Sequence, residues 1–186
     1  SLVGSEMCIR DRAITNYLHK GDLPANLVFK GDLAVDTEAM GLNNKRDRLC
    51  LVQISDGNGD AHLVQFAQGV YNAPNLVKLL TDPARTKIFH FARFDLSIMR
   101  HYLGIHLNPV YCTRTASRLV RTYTDRHGYK DICRELLGID ISKQQQSSDW
   151  GTDNLSPEQI EYAASDVHHL HRLKAKLETM IAREGR

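Results

Sequence analysis

The feature that most constrains the fold is a set of four acidic residues and one tyrosine spread over the chain: Asp36, Glu38, Asp95, Tyr162 and Asp166. Asp36 and Glu38 are two residues apart after an apolar run, so a strand would point both carboxylates to one face. Tyr162 and Asp166 are four apart, so a helix would place them side by side. Hard divalent cations need such oxygen-only clusters, and paired cations suit phosphodiester cleavage.

Composition restricts the class of protein but does not decide its function. The chain has 186 residues, which suits one domain with a sizeable core, and its net charge of +2 gives no global argument for nucleic acid binding. Its four cysteines include no close pair, which argues against a disulfide framework or a zinc ribbon and predicts a reducing, cytoplasmic location. No apolar run has transmembrane length and no signal peptide is recognisable, so no membrane partner is expected.

The N-terminal residues 1–12 look foreign to the rest of the chain. They resemble a translated sequencing-adapter read-through; the alternative is a native disordered N-terminus. Neither reading predicts a function there, so we assign no part of the fold to these residues. We therefore expect one domain over residues 13–186.

Short apolar runs alternate with helical patterns along this domain. Five runs predict strands, at 33–35, 49–54, 61–64, 87–90 and 110–111. Strong turn chemistry between the second and third runs predicts an antiparallel hairpin. Helical patterns extend from Pro74 to Leu80, from about Ala92 to Tyr102, from Thr113 to Tyr123 and from Lys130 to Leu137. Strands first and alternating elements afterwards predict an α/β fold with a mixed five-stranded sheet flanked by helices on both faces.

The last predicted helix begins at a capping box. Ser156 is the expected N-cap, Pro157 suits the first helical position and Gln159 completes the box. An apolar stripe then continues as one helix to Leu177. Asp166 lies at the edge of this stripe and should face the sheet, where an unpaired carboxylate would be costly. A metal held with the three other acids removes that difficulty.

Three segments together resemble the motifs of a known family, the ribonuclease D branch of the DEDD 3′–5′ exonucleases. The matching segments, with the third of the tyrosine subtype, are 36–38, 90–95 and 162–166. Other segments resemble a subgroup of that branch, the nano-RNase C enzymes of alphaproteobacteria, which degrade very short RNA. Those segments are 46–50, 122–128 and 141–150.

The resemblance implies a ribonuclease H-like fold, two divalent cations, Mg²⁺ or Mn²⁺, and a role for each acid. Asp36, Glu38 and Asp166 would hold one ion. Asp36 would bridge to the second, which Asp95 would help to hold, directly or through water. Tyr162 would position or activate the attacking water. The implied activity is release of nucleoside 5′-monophosphates from short oligoribonucleotides, above all dinucleotides. The resemblance also implies a homo-oligomeric ring, an octamer in that subgroup, and a chain truncated at its C-terminus.

Substrate contacts have two readings each. Leu42 matches a leucine that wedges between bases in similar exonucleases, or it covers the core. His90 reaches the site, or it is a hydrogen-bonded core histidine. Trp150 stacks on a base, or it anchors its loop. Arg114, Arg118 and Arg121 share one predicted helical face, and Arg126 follows it. These four arginines contact phosphate, or the helix face is simply solvated.

Two other functions stay open on sequence alone. One is a ribonuclease D-type 3′ RNA processing enzyme or a DNA exonuclease with the same chemistry. The other is a catalytically inactive nucleic-acid-binding module on the same fold. The presence of all five site residues argues against the second, and the length of the preferred substrate would decide the first.

Overall fold

A computed structural model describes residues 15–186 as a mixed sheet with helices on both faces. The expectation of a foreign segment at 1–12 lies outside the described residues. The strands are β1 (Asn16–Lys20), β2 (Leu33–Ala39), β3 (Leu49–Ser55), β4 (Ala61–Gln65), β5 (Lys87–Phe89) and β6 (Val110–Cys112). The helices are α1 (Pro74–Leu80), α2 (Ala92–Leu103), α3 (Thr113–Val120), α4 (Tyr129–Leu137), α5 (Pro157–His168) and α6 (Leu170–Glu184).

The sheet has the strand order β1-β4-β3-β2-β5-β6 over the described residues. β3 is antiparallel to both of its neighbours, and the remaining pairs are parallel. The predicted count of five strands is corrected to six, because β1 pairs in parallel with β4 at the edge of the sheet. Its sequence carries His19 and Lys20 beside few apolar residues, so it lacks the pattern of a buried strand.

The predicted hairpin and the predicted early helices are confirmed. β3 and β4 pair antiparallel, with Val52 opposite Val64, and both strands are buried along their whole length. α1 begins at Pro74, and α2 carries the buried Ile98 and Met99.

Each face of the sheet is covered by its own hydrophobic cluster. One cluster packs α1 and α2 against the sheet through residues such as Leu33, Val35 and Ile98. The other packs α4, α5 and the start of α6 through residues such as Ala34 and Ala163. Because neighbours in a strand face opposite sides, β2 contributes to both clusters.

Two helix boundaries differ from the prediction. The expected continuous last helix is interrupted at His169, whose φ of −115° and ψ of −5° depart from the values of a regular α-helix. The Ser165 carbonyl, which an unbroken helix would offer to the His169 amide, accepts a hydrogen bond from the Tyr129 hydroxyl at 2.6 Å. The helix expected to reach Tyr123 ends at Val120 instead.

Within the described residues, no helix is long and apolar enough to cross a membrane.

Candidate active site

The acid pair lies on β2, which runs along the middle of the sheet. Asp36 and Glu38 alternate with Thr37, so both carboxylates point to the face that α5 covers, as does Ala34. Both acids are half-buried. The sequence therefore places two carboxylates side by side at the end of a buried strand.

α5 brings a third carboxylate to the same place. Ser156 accepts a hydrogen bond from the Gln159 amide at 3.1 Å, and Gln159 Oε1 accepts one from the Ser156 amide at 2.9 Å, so the predicted capping box is confirmed. The small residues Ala163 and Ala164 are completely buried, and they let the helix lie close to the sheet. This position directs Asp166 toward β2.

The carboxylates of Asp36, Glu38 and Asp166 converge, with one oxygen of each lying within 4.8 Å of the others. Burial raises the pKa of Asp36 and of Glu38 well above the usual range, and the charge of Asp166 raises both further. Burial raises the pKa of Asp166 to about 7. Such crowding of acids disfavours ionisation. An oxygen-only cluster of this kind fits a hard divalent cation.

Asp95 lies beside this cluster, in the first turn of α2. It is 4% exposed, and its Oδ1 accepts a hydrogen bond from the Thr37 hydroxyl at 2.5 Å. Burial raises its pKa to about 7, and the hydrogen bond from Thr37 opposes that rise. Its charge raises the pKa of both Asp36 and Glu38, so Asp95 acts on the same site.

Tyr162 lies on α5 one turn before Asp166, and its hydroxyl faces the acids. Burial raises its pKa above the ordinary value, and the charges of Asp166, Glu38 and Asp36 add to the rise. The Tyr162 hydroxyl is therefore protonated at neutral pH. Its ring packs at 5.9 Å from that of Trp150, which is 3% exposed. This burial favours the reading of Trp150 as an anchor for its loop.

Gln53 contacts the site from β3 and was missed by the sequence argument. It is completely buried and pairs opposite Asp36 in the sheet. Its Nε2 donates to Asp36 Oδ2 at 3.2 Å and to the Ala163 carbonyl at 3.3 Å. The sequence feature that could have identified Gln53 is an amide side chain between apolar residues, in a strand whose other residues suit the core.

His90 directly follows β5 and lies level with Asp36 along the neighbouring strand β2. β5 pairs in parallel with β2, with Ala34 beside Ile88, so two further residues bring each chain to Asp36 and His90. His90 Nδ1 is 2.9 Å from the Thr113 hydroxyl. Burial, with a smaller effect of the neighbouring Arg114, lowers its pKa to about 4, so the imidazole is neutral at pH 7.

The four candidate arginines do not form one face. Arg114 lies over the Phe91 ring at 4.4 Å, next to His90. Arg118 and Arg126 are exposed. Arg121 is 2% exposed, so the prediction that it shares an open face with Arg114 and Arg118 is wrong.

The physical reason is that α3 ends before Arg121, which then turns inward. Its guanidinium forms an ion pair with Glu135 and donates to the Ser117 hydroxyl at 2.8 Å and to the Arg126 carbonyl at 2.7 Å. These contacts occupy the Nε and Nη1 donors, and the burial of Arg121 closes it to a phosphate. Leu42, in the loop after β2, is 89% exposed, so it does not cover the core.

Comparison with known proteins supports the resemblance drawn from the motifs. A family model described as a 3′–5′ exonuclease matches residues 13–182. The solved structure of Brucella melitensis NrnC bound to pGG is 56% identical, with a TM-score of 0.90, and the match covers 94% of this chain and 85% of that chain. The Brucella NrnC structure with bound Mg²⁺ is 55% identical, with a TM-score of 0.88, covering 92% and 84%.

Ribonuclease D proteins are more distant. The one from Gluconacetobacter diazotrophicus is 36% identical over 154 residues, which are 83% of this chain and 39% of that protein. Escherichia coli RNase D is 26% identical in structure comparison, with a TM-score of 0.71 and coverage of 83% and 40%. The chain thus spans about two fifths of the length of the ribonuclease D proteins that it matches. The predicted ribonuclease H-like fold is confirmed, and the chain belongs to the 3′–5′ exonuclease family.

Proposed function

We propose that the chain is a metal-dependent 3′–5′ exoribonuclease that releases nucleoside 5′-monophosphates from short oligoribonucleotides, dinucleotides above all. The observation that carries this function is the convergence of Asp36, Glu38 and Asp166 within 4.8 Å in a member of this exonuclease family. The preference for short substrates is supported by sequence identity. The chain is 56% identical to NrnC, which was solved with pGG bound, and only 26% identical to RNase D of Escherichia coli.

The acids fit two divalent cations, Mg²⁺ or Mn²⁺. Asp36, Glu38 and Asp166 would hold one ion, and Asp36 with Asp95 would hold the second. Two such ions stabilise the attacking and the leaving oxygen of a phosphodiester. The raised pKa values of these acids support the assignment, because crowded carboxylates lack a counter-charge that a cation supplies. We assign the chain on this basis to the DEDD tyrosine subtype.

Tyr162 orients the attacking water by a hydrogen bond rather than by taking its proton. Its pKa is raised by burial and by the surrounding acids, so a tyrosinate would be disfavoured at neutral pH. The packing of its ring against Trp150 fixes the direction of the hydroxyl. This role needs the oxygen of Tyr162 but no change in its charge.

Substrate binding involves the exposed Leu42, the neutral His90 and the arginine beside it. Leu42 would wedge between the bases, since its side chain is open to a ligand. His90 and Arg114 lie together at the end of β5, which pairs with the strand that carries Asp36, and there they would contact phosphate. Arg118 and Arg126 are exposed and would contact substrate from the same or a neighbouring subunit. Arg121 is the weakest candidate, because it is buried and its Nε and Nη1 donors are already paired.

The proposed enzyme acts in the cytoplasm as a homo-oligomeric ring, an octamer as in the resembled subgroup. The absence of a close cysteine pair in the sequence supports a reducing compartment. Light scattering of the purified chain would test the ring directly. A monomer with full activity on dinucleotides would contradict it.

The decisive experiment compares a labelled dinucleotide with a labelled long oligoribonucleotide, in Mn²⁺, with DNA of the same sequence as a further arm. The proposal expects fastest turnover of the dinucleotide and release of nucleoside 5′-monophosphate. Preference for the long RNA or for DNA would indicate a processing enzyme or DNA exonuclease. Cleavage of none of them, with binding retained, would indicate a nucleic-acid-binding module.

A further inference from the structure

Gln53 occupies a position where an apolar residue would suit the sheet better. It lies in the buried strand β3 between Val52 and Ile54, and its side chain is completely shielded from solvent. Its Oε1 is buried and has no hydrogen-bond partner among the described residues. An unpaired buried carbonyl costs free energy of folding, which Val or Leu at this position would avoid. The stability of the sheet therefore does not explain the glutamine.

The orientation of the Gln53 amide is fixed by its partners. The Ala163 carbonyl can only accept a hydrogen bond, so the amide nitrogen and not the oxygen must face it. The same nitrogen is 3.2 Å from Asp36 Oδ2 and 3.3 Å from the Ala163 oxygen. The two N–H groups of one amide can thus serve a carboxylate and a backbone carbonyl at once.

These two partners belong to the two elements that supply the converging acids. Asp36 is on β2, and Ala163 lies three residues before Asp166 on α5. The Gln53 amide therefore connects one acid directly to the helix that carries another. It also acts on Glu38, whose pKa it lowers against the effect of burial.

The neutral charge of Gln53 is as informative as its contacts. A lysine or arginine at this position would offset the negative charge of the acids and compete with a cation. An amide donates without adding charge, so the carboxylates keep their full attraction for a cation. Hydrogen-bond partners behind metal ligands commonly serve this orienting purpose.

We propose that Gln53 is a positioning residue that orients Asp36 and fixes the separation between β2 and α5, so that the acids meet a cation in the correct arrangement. This inference rests on the proposed function of Asp36, Glu38 and Asp166 as metal ligands. Gln53 itself contacts neither the cation nor the substrate. Its effect should appear in metal affinity and in turnover rather than in the recognition of RNA.

The test compares Gln53→Met with the matched control Gln65→Met in the full chain. Gln65 is a buried glutamine on the neighbouring strand β4, and its Nε2 donates to the Thr152 carbonyl at 2.9 Å. Gln53→Met should weaken Mn²⁺ binding, measured by calorimetric titration, by about ten- to a hundred-fold. Its kcat should fall while KM for a dinucleotide at saturating Mn²⁺ changes little, and its unfolding midpoint in EDTA should stay near wild type. Gln65→Met should keep wild-type metal affinity.

Unchanged Mn²⁺ affinity and kcat in Gln53→Met would overturn the inference, and so would an equal loss in Gln65→Met. If Gln53→Met is unfolded in EDTA, Gln53→Leu provides a second measurement. Unfolding of both variants would assign Gln53 to the stability of the sheet and overturn a positioning role. Failure of the wild-type chain to bind Mn²⁺ would instead reject the proposed function on which the inference rests.

Discussion

The hydroxyl of Thr37 donates a hydrogen bond to Oδ1 of Asp95 across 2.5 Å, which ties β2 to the first turn of α2. Thr37 points to the face of the sheet opposite to Asp36 and Glu38, because side chains alternate along a strand. Asp95 therefore approaches the site from the layer of helices opposite α5. The two layers of helices meet at β2, and the hydrogen bond from the Thr37 hydroxyl fixes the position of Asp95 on its side of the sheet.

Replacement of Thr37 by Val should slow cleavage by about ten- to a hundred-fold, because Asp95 loses the donor that orients its carboxylate. Valine favours a strand and has nearly the same volume, so the fold should be kept. The rate is measured in single-turnover reactions at saturating Mn²⁺. Thr37→Ser keeps the hydroxyl and serves as the control. Similar rates for Thr37→Val and wild type would show that the burial of Asp95 alone positions it.

Asp166→Asn should abolish cleavage and should leave the metal-free fold at least as stable as wild type. The substitution removes a charge that would bind the cation, and it also relieves the repulsion that raises the pKa of Asp36 and Glu38. Turnover and the thermal midpoint in EDTA check the two parts separately. A lower midpoint than wild type, or unchanged turnover, would contradict this assignment of Asp166.

The metal-free protein should lose stability as the pH rises toward neutrality. Asp95 and Asp166 have pKa values raised to about 7 in the folded state. Because an unfolded carboxyl titrates near about 4, the folded state binds more protons between these values, so the free energy of unfolding falls over that window. Thermal midpoints in EDTA across this range should decline, and Asp166→Asn should show a shallower decline. A flat profile for wild type would contradict the crowding of the acids.

Tyr162→Phe should slow cleavage by about 10²- to 10⁴-fold while metal affinity is kept. The ring still packs against Trp150, so only the hydroxyl that faces the acids is lost. Turnover is compared with Mn²⁺ affinity measured on the same preparation. A rate within a few-fold of wild type would leave Tyr162 as a packing residue.

The acids and the capping box could be predicted from sequence because their geometry is local. The two-residue spacing of Asp36 and Glu38 fixes a shared face in any strand, and the spacing of Tyr162 and Asp166 fixes a shared face in any helix. Ser156 needs only the next helical turn to complete its cap. None of these expectations depends on a distant partner.

The features that sequence did not predict depend on contacts between distant segments. β1 is an edge strand that is defined by its pairing with β4, and its own sequence lacks the apolar pattern that would have marked it as a strand. Arg121 has the spacing of an exposed residue, but Glu135 and the end of α3 draw it inside. Gln53 gains its partners from β2 and α5, which lie far along the chain.

Arg114 is the candidate arginine whose position best suits a substrate phosphate. The Cζ atom of its guanidinium lies over the Phe91 ring, 4.4 Å from the ring centroid, beside the neutral His90. A dinucleotide offers few contacts, so selection of short chains needs a group that closes off the end of the substrate. A fixed guanidinium fork on a terminal phosphate would provide it, because such forks match phosphate oxygens geometrically.

Arg114→Ala should therefore weaken binding of a dinucleotide more than binding of a long oligoribonucleotide. A charge-assisted hydrogen bond contributes about 1.5–3 kcal/mol, which corresponds to a loss of roughly ten- to a hundred-fold. Arg183→Ala is the matched control, because Arg183 is an exposed arginine on α6 that is not a candidate substrate contact. Binding is measured by fluorescence anisotropy in an Asp166→Asn background, which keeps the substrate intact. Equal losses of affinity for both substrate lengths in Arg114→Ala would leave α3 as a solvated or subunit-contact surface.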